Sequence, residues 1–388
     1  MIIFYFLLVI ALIDGLLLGV LAIELWTAFL PTRRLRRGER LDVAVIVPAH
    51  NESDGITRTL ESLKQQSLPT DRLLVVADNC TDDTADCARA TGVEVIERFK
   101  DTARGKGYAI DFGIQHLRVR PPAVVVICDA DCTLEPGSLD SLASQVSWTG
   151  SPAQALYLMR QPKIPGPESS VSAFAFLIKN WVRPRALDRA GLPVMLTGSG
   201  MAFPWSAIAT IDVASGEIVE DLAIGLKLTR RRLGPKFCES AVVWSELPAN
   251  PEAVVAQRTR WEHGYLATIF RDVPKLVRDF FKSGRITLLA VALDLSVPPL
   301  ALLVLVSALV ASLTLIYGLA TNLWQPFLLV VLPGLSAALG LMAAWYGFAR
   351  TQLPAKLVLS IPLYVLKKLN IYRRFVTKRQ QDWVRTQR

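Results

Sequence analysis

The sequence offers little for the commoner kinds of metal or nucleotide chemistry. Its 388 residues include only 3 histidines and 5 cysteines (Cys80, Cys87, Cys128, Cys132, Cys238), with no C-x-x-C pair. That scarcity argues against a zinc site, and an odd number of thiols suits a reducing compartment. No G-x-x-x-x-G-K-[ST] stretch is present, so a P-loop nucleotidase is excluded. Arg104-Gly105-Lys106-Gly107 opens a predicted helix, where phosphate could bind, but it lacks the G-x-G-x-x-G spacing of a dinucleotide site. Charge is also sparse. Charged residues make up 20% of the chain against 52% hydrophobic ones, and mean hydropathy is +0.35. Such a composition excludes disorder and is unusual for a soluble enzyme.

The net charge of +9 sits at the ends. Residues 1–40 carry 5 basic and 3 acidic groups, residues 350–388 carry 10 and 1, and the remainder is near neutral. This is not the footprint of a nucleic-acid-binding surface, and no nucleic-acid partner is expected. It is the pattern of a membrane protein with basic flanks.

Residues 2–30 form one apolar run broken only by Asp14 and Glu24. At 1.5 Å per residue it reaches roughly 43 Å, enough to cross a hydrocarbon core of about 30 Å. No early charge marks a cleavable signal, and Arg33, Arg34, Arg36, Arg37 and Arg40 follow the run. The expectation is an uncleaved anchor over 1–31 with its N-terminus outside. Pro298 and Pro299 divide the next apolar region. That division predicts interfacial helices over 271–298, with Asp294 near water, and two spans within 299–349. Residues 350–388 are expected to hold an interfacial helix over Leu357–Leu366 and a basic cytoplasmic tail. Asp14 and Glu24 are functional suspects by default; the structural alternative keeps Glu24 near the headgroups and pairs Asp14 inside the bundle.

Residues 42–270 hold the chemistry. Short apolar runs at Val43–Val47, Leu73–Ala77, Val93–Ile96 and Val124–Cys128 alternate with helical stretches near 54–67, 82–90 and 106–117. This alternation predicts an α/β domain with a mainly parallel, Rossmann-like sheet. Ligands of such sheets bind beyond the carboxyl ends of the strands. The polar groups there are His50-Asn51-Glu52, Asp78-Asn79 and Asp129-Ala130-Asp131. Two carboxylates spaced as Asp129 and Asp131 offer hard oxygen ligands to Mg²⁺ or Mn²⁺, which typically share carboxylates with substrate phosphates. The same pair alone could equally form a turn or a helix cap. Cys128 and Cys132 read as packing residues.

Downstream stand Thr197-Gly198-Ser199-Gly200, Glu220-Asp221 and Gln257-Arg258-Thr259-Arg260-Trp261. With VPAHNE and VVADNCTDDT at the first two strand ends, these resemble the membrane-bound inverting family 2 glycosyltransferases of GT-A fold. That group includes cellulose, hyaluronan and poly-N-acetylglucosamine synthases and ceramide glucosyltransferases. The resemblance covers about residues 42–270 and the order of membrane segments. It implies that Glu52 and Asp78 contact the uridine end of the donor and that Lys106 lies near its phosphates. It further implies that Asp129 lies against ribose and diphosphate, that Asp131, with Asp129, holds the metal, and that Asp221 is the general base. Gln257 and Arg260 would steady the diphosphate. Thr197, Gly198, Ser199, Gly200 and Glu220 would shape the acceptor side, and Trp261 its entrance.

The bland readings are a helix N-cap for Asp221 and interfacial packing for Trp261. The sequence departs from the commoner pattern at Asn79, which replaces the second acid of a D-D pair, and at Val219, which replaces a threonine. Three spans suit lipid-glycosylating members better than polymer-threading synthases. The implied function is transfer of a sugar, with inversion, from a UDP-sugar to a lipid-linked or polysaccharide acceptor at the cytoplasmic face of the inner membrane, in exopolysaccharide assembly, with export or assembly partners. A processive synthase, suggested by Q-x-x-R-W, and a non-catalytic nucleotide-sugar-binding subunit are the alternatives.

Overall fold

A computed structural model describes residues 1–31, 38–100, 102–161, 166–246, 251–351, 353–355 and 360–377. The chain divides into two compact units, one formed by the described residues of 1–31, 166–190 and 265–377, the other by those of 38–161 and 191–264. Residues 166–190, which the sequence groups with the α/β domain, therefore pack with the apolar helices. Arg33, Arg34, Arg36 and Arg37, the beginning of the Leu357–Leu366 stretch and the tail from 378 onward lie outside the described residues.

The α/β unit is built on one eight-stranded sheet. Its strands are β1 (Val43–Ala49), β2 (Arg72–Asp78), β3 (Glu94–Arg98), β4 (Val124–Ile127), β5 (Cys132–Leu134), β6 (Ala153–Arg160), β7 (Met201–Pro204) and β8 (Lys236–Glu246). They lie in the order β3-β2-β1-β4-β7-β6-β8-β5. The β1–β2, β1–β4, β2–β3 and β6–β8 pairings are parallel, and β7 runs antiparallel to both β4 and β6.

Side chains two apart on a strand share a face, and the buried positions follow that rule. Ala44, Ile46, Leu74, Val76, Val125 and Ile127 form one cluster with Ile110, Ile114 and Leu117 of helix Lys106–Leu117. Because β1 to β4 are parallel, their carboxyl ends lie along one edge. Antiparallel β7 starts at that same edge, since Met201 pairs with Ile127. The turn Thr197–Gly200 is thereby delivered to the end of β4.

The other unit contains three helices long and apolar enough to cross a membrane: Ile2–Thr27, Leu300–Thr321 and Gln325–Ala349. A shorter apolar helix, Ile286–Ser296, precedes the second. Lipid tails give no hydrophobic drive for such helices to associate, so close backbone approach carries the packing. A Cβ on Gly15 would collide with the Leu329 carbonyl oxygen, and one on Gly340 would meet Leu25 at 2.8 Å. Leu177, Ile178, Val182 and Ala186, from the 167–189 helical stretch, join this apolar cluster.

Both acids of the first apolar helix have partners. Ser307 Oγ donates to Asp14 Oδ1 at 2.8 Å. Arg183 donates through Nε to Glu24 Oε2 at 2.6 Å and through Nη2 to Asp294 Oδ1 and to the Asp294 carbonyl, both at 2.7 Å. Asp294 is 5% exposed. The expectation that it faces water is corrected: a buried guanidinium satisfies its charge.

Candidate active site

Three strand ends supply the floor of the site. After β1, the Asn51 backbone turns left-handed at φ 57°, and after β2 Asn79 does the same at φ 53°. Asparagine tolerates this region better than other residues with a Cβ. Asn79 also accepts the Lys100 N–H at 2.7 Å and donates to Asp78 Oδ1 at 3.0 Å, so the residue that departs from the D-D pattern organises the turn. The Glu52 N–H is held by Thr84 Oγ1 at 2.7 Å. Asp78, 7% exposed, receives a hydrogen bond from Arg98 Nη1 at 2.6 Å. The Arg98 guanidinium lies 5.5 Å from the centre of the Tyr108 ring. Arg98 escaped the sequence reading, although it stands level with Asp78 in the β2–β3 register. That register is invisible until the strand order is known.

At the end of β4 the chain turns tightly through Asp129-Ala130-Asp131, with Cys132 N–H donating to the Asp129 carbonyl at 3.1 Å. Thr59 Oγ1 secures Ala130 from the helix side at 2.7 Å. Ligand atoms of Asp129, Asp131 and Cys132 lie within 4.8 Å of one another. Burial pushes the Cys132 thiol well above its ordinary range, followed by the nearby Asp129 charge. Asp129 and Asp131 supply the hard oxygen donors of this group. Hard oxygens of this kind fit Mg²⁺ or Mn²⁺ rather than a thiophilic metal.

Lys106, first residue of its helix, reaches into the centre of this cluster. Its Nζ pairs with Asp129 Oδ1, donates to the Gly198 carbonyl at 2.6 Å and lies 3.6 Å from Glu220 Oε1. Burial pulls the ammonium down, but Asp129, Glu220 and Asp221 outweigh it and hold Lys106 above its usual range. Glu220 is 7% exposed, and burial pushes its carboxyl up to about 7 against the pull of Lys106.

Asp221 sits in the first turn of helix Glu220–Arg230 and is not its N-cap; that position is Val219, which makes no side-chain cap. Asp221 Oδ1 accepts the Leu222 N–H at 2.8 Å. Its Oδ2 lies on the other side, 3.5 Å from where a Gly198 Cβ would stand; Lys106 Nζ is 3.7 Å and Asp129 Oδ2 4.0 Å from that point. Gly198 has φ 94° and Gly200 φ 67°, so this turn depends on glycine. The Thr197 hydroxyl is buried without a hydrogen-bond partner among the described residues. Ser199 Oγ accepts the Asp129 N–H at 3.1 Å.

Helix Pro251–Ser283 carries Q-x-x-R-W. A Cβ on Gly264 would press on Val219 at 2.9 Å, which sets this helix against the start of the Asp221 helix. Arg260, one turn earlier, lies in the field of Glu220 and Asp129, and burial lowers its guanidinium from its ordinary range. Gln257 is buried and Trp261 half-buried on the same stretch. The structure thus gathers Lys106, Asp129, Asp131, Gly198, Glu220, Asp221 and Arg260, and places Glu52 and Asp78 along the same sheet edge. It also supplies Arg98 and Gln154, which motif reading missed. A lone glutamine in an apolar strand was the available signal for the latter.

Comparison with known proteins bears on the fold and the family. The solved mannosyltransferase PcManGT from Pyrobaculum calidifontis, in complex with GDP-Man and Mn²⁺, superposes with a TM-score of 0.57 at 18% identity, covering 96% of this chain and 100% of that one. The shared architecture is the GT-A fold. The 4,4'-diaponeurosporenoate glycosyltransferase of Staphylococcus aureus is 35% identical over 112 residues, 28% of this chain and 29% of that protein. "Probable glycosyltransferase YdaM" of Bacillus subtilis is 24% identical over 283 residues, 66% of this chain and 62% of its own length. The chain thus matches under a third of the first relative and under two thirds of the second. Residues 40–264 match the family described as "Glycosyltransferase like family 2". The chain belongs to this glycosyltransferase family.

Proposed function

We propose that the protein is a metal-dependent, inverting membrane glycosyltransferase that moves a sugar from a nucleoside-diphosphate donor, a UDP-sugar by resemblance, to a lipid-linked or polysaccharide acceptor. The observation that carries the reading is the convergence of Asp221 Oδ2, Lys106 Nζ and Asp129 Oδ2 on the Gly198 turn. On this reading a base, a cation and a metal-binding carboxylate would stand within reach of one reacting centre.

Glu52, Asp78 and Arg98 would hold the donor base and ribose. A divalent cation on Asp129 and Asp131 would offset diphosphate charge when bound. Lys106, Arg260 and Gln257 would hold phosphate oxygens. The acceptor hydroxyl oxygen attacks the anomeric carbon as that carbon's bond to the diphosphate oxygen breaks. Its proton passes to Asp221, and the nucleoside diphosphate leaves with the bonding pair. The Thr197 hydroxyl, buried and unpaired among the described residues, is suited to an acceptor hydroxyl, and the Trp261 indole to a sugar face.

Three apolar helices in the same chain favour an acceptor presented at a membrane, with the α/β unit on the cytoplasmic side of the inner membrane and a role in exopolysaccharide assembly alongside export or assembly partners. The test is nucleotide release by the full chain in detergent, with Mn²⁺ or Mg²⁺, over UDP-glucose, UDP-N-acetylglucosamine and GDP-mannose, with and without a membrane lipid extract. Metal-dependent release for one donor, raised by the extract, supports the reading. Silence for every donor contradicts it and favours a binding subunit. The Q-x-x-R-W helix favours processivity as a second reading; a ladder of products supports that, and a single-sugar shift excludes it.

A further inference from the structure

One buried side chain holds the acceptor turn and the metal-binding turn together. Gln154, in β6, is 1% exposed and lies in a strand otherwise made of apolar residues on its buried positions. Its Oε1 accepts the Thr197 N–H at 2.9 Å, and its Nε2 donates to the carbonyls of Ser199 and Ala155, both at 2.9 Å. The side-chain amide therefore grips the turn on both sides of Gly198. Just beyond, Gly200 donates to the Ile127 carbonyl and accepts from Ala155 N–H, each at 2.9 Å, which stitches the turn between β4 and β6. From inside the turn, Ser199 Oγ takes the Asp129 N–H.

We propose that Gln154 is a positioning residue for the reaction. Through Thr197 and Ser199 it fixes the Gly198 turn over the base, and through Ser199 it fixes the backbone of Asp129. The inference deepens the proposed function and rests on its assignment of Asp129 to the metal and diphosphate. Two glycines of positive φ make the turn pliable, and an amide that uses both its donor and its acceptor functions is the device that removes the pliability. Leucine fills similar space but leaves the Thr197 N–H and the Ser199 carbonyl without their partner.

The test uses the full chain in detergent and two readouts. Amide hydrogen exchange, without metal or nucleotide, should quicken about tenfold or more around 196–200 and 128–131 in Gln154→Leu, while β1 and β2 keep wild-type protection. Uniform quickening across the sheet, or none, overturns the proposal. Binding of UDP or GDP with Mn²⁺ should weaken about tenfold in Gln154→Leu and in Ser199→Ala, as for other residues that orient a metal ligand, and no further in the double variant. Losses that simply add overturn it, because the two residues would then act separately. If Gln154→Leu does not fold, Gln154→Glu serves in both readouts: it keeps the acceptor for Thr197 and loses both donors. A wild type that binds neither nucleotide with Mn²⁺ contradicts the donor reading, and hydrogen exchange still decides the role of Gln154.

Discussion

Two basic side chains in this molecule are each enclosed by carboxylates, and they are built for opposite purposes. Arg183, in the apolar unit, meets Glu24 and Asp294 at 2.6–2.7 Å with side-chain exposures of 9% and 7%. Every partner comes from a helix, and the guanidinium is bidentate toward Asp294 through its side chain and carbonyl. Lys106, in the α/β unit, meets Asp129, Glu220 and the Gly198 carbonyl, with 18% of its own side chain and 26% of that of Asp129 open. Its partners come from turns and helix starts, and three acids surround one ammonium. Under the proposed function the open Lys106 cluster is where a cation and the phosphates it binds would sit, whereas the closed Arg183 cluster ties helices together.

The sharpest way to break the comparison is at the metal pair. Asp131→Asn should lower metal-dependent sugar transfer by about 100-fold or more, since a bound divalent ion supplies several kcal/mol of charge stabilisation. Release of nucleoside diphosphate across a Mn²⁺ titration reads the effect, and the thermal midpoint should hardly move.

Arg183→Met should do the reverse. Removing one partner of a buried ion pair costs about 3–5 kcal/mol, read as a lower thermal midpoint in detergent. Lys106→Met should cost less, about 1–2 kcal/mol, because Asp129 is 26% open to water and buried Glu220, its carboxyl already raised, can take up a proton, yet it should cripple transfer. If both variants lost stability alike, the two clusters would be of one kind.

A smaller effect concerns pH. Glu220 carries a carboxyl pushed from 4.5 to about 7. Between those values the folded chain keeps a proton that the unfolded chain releases, so this group's contribution to stability is full below pH 4.5 and is lost as pH rises through 7. Thermal midpoints from pH 4.5 to 8 should fall less steeply in Glu220→Gln than in the wild type. Gly198→Ala, whose φ of 94° strains any side chain, should cost about 1–2 kcal/mol and reduce transfer.

The legibility of the two regions differed for a physical reason. β1, β2 and β4 announce themselves as apolar runs ending in polar residues, the pattern of parallel strands buried on both faces, and edge strand β3 keeps a short apolar centre. β5 to β8 do not. β5 is three residues long and β7 four, and along the β6–β8 pair the register jumps between Ala155 and Leu156 from Cys238 to Val242. That irregularity erases the period on which strand reading depends. In the site, Asp129, Asp131, Asp221 and Arg260 were legible because each sits in a short motif. Arg98, Gln154 and the Arg183 partnership of Glu24 were not, because each acts across a strand register or a sequence separation of 43 to 159 residues that only the folded chain reveals.

The central claim is that Asp221 takes the acceptor's proton. Its most direct test is sugar transfer by Asp221→Asn at saturating donor, beside the dissociation constant for the same nucleotide with Mn²⁺. The account predicts transfer reduced by about 100-fold to 10,000-fold, the usual worth of a general base, with nucleotide affinity within about twofold of wild type, because the substitution leaves the phosphate and metal groups in place. Transfer at the wild-type rate would contradict it.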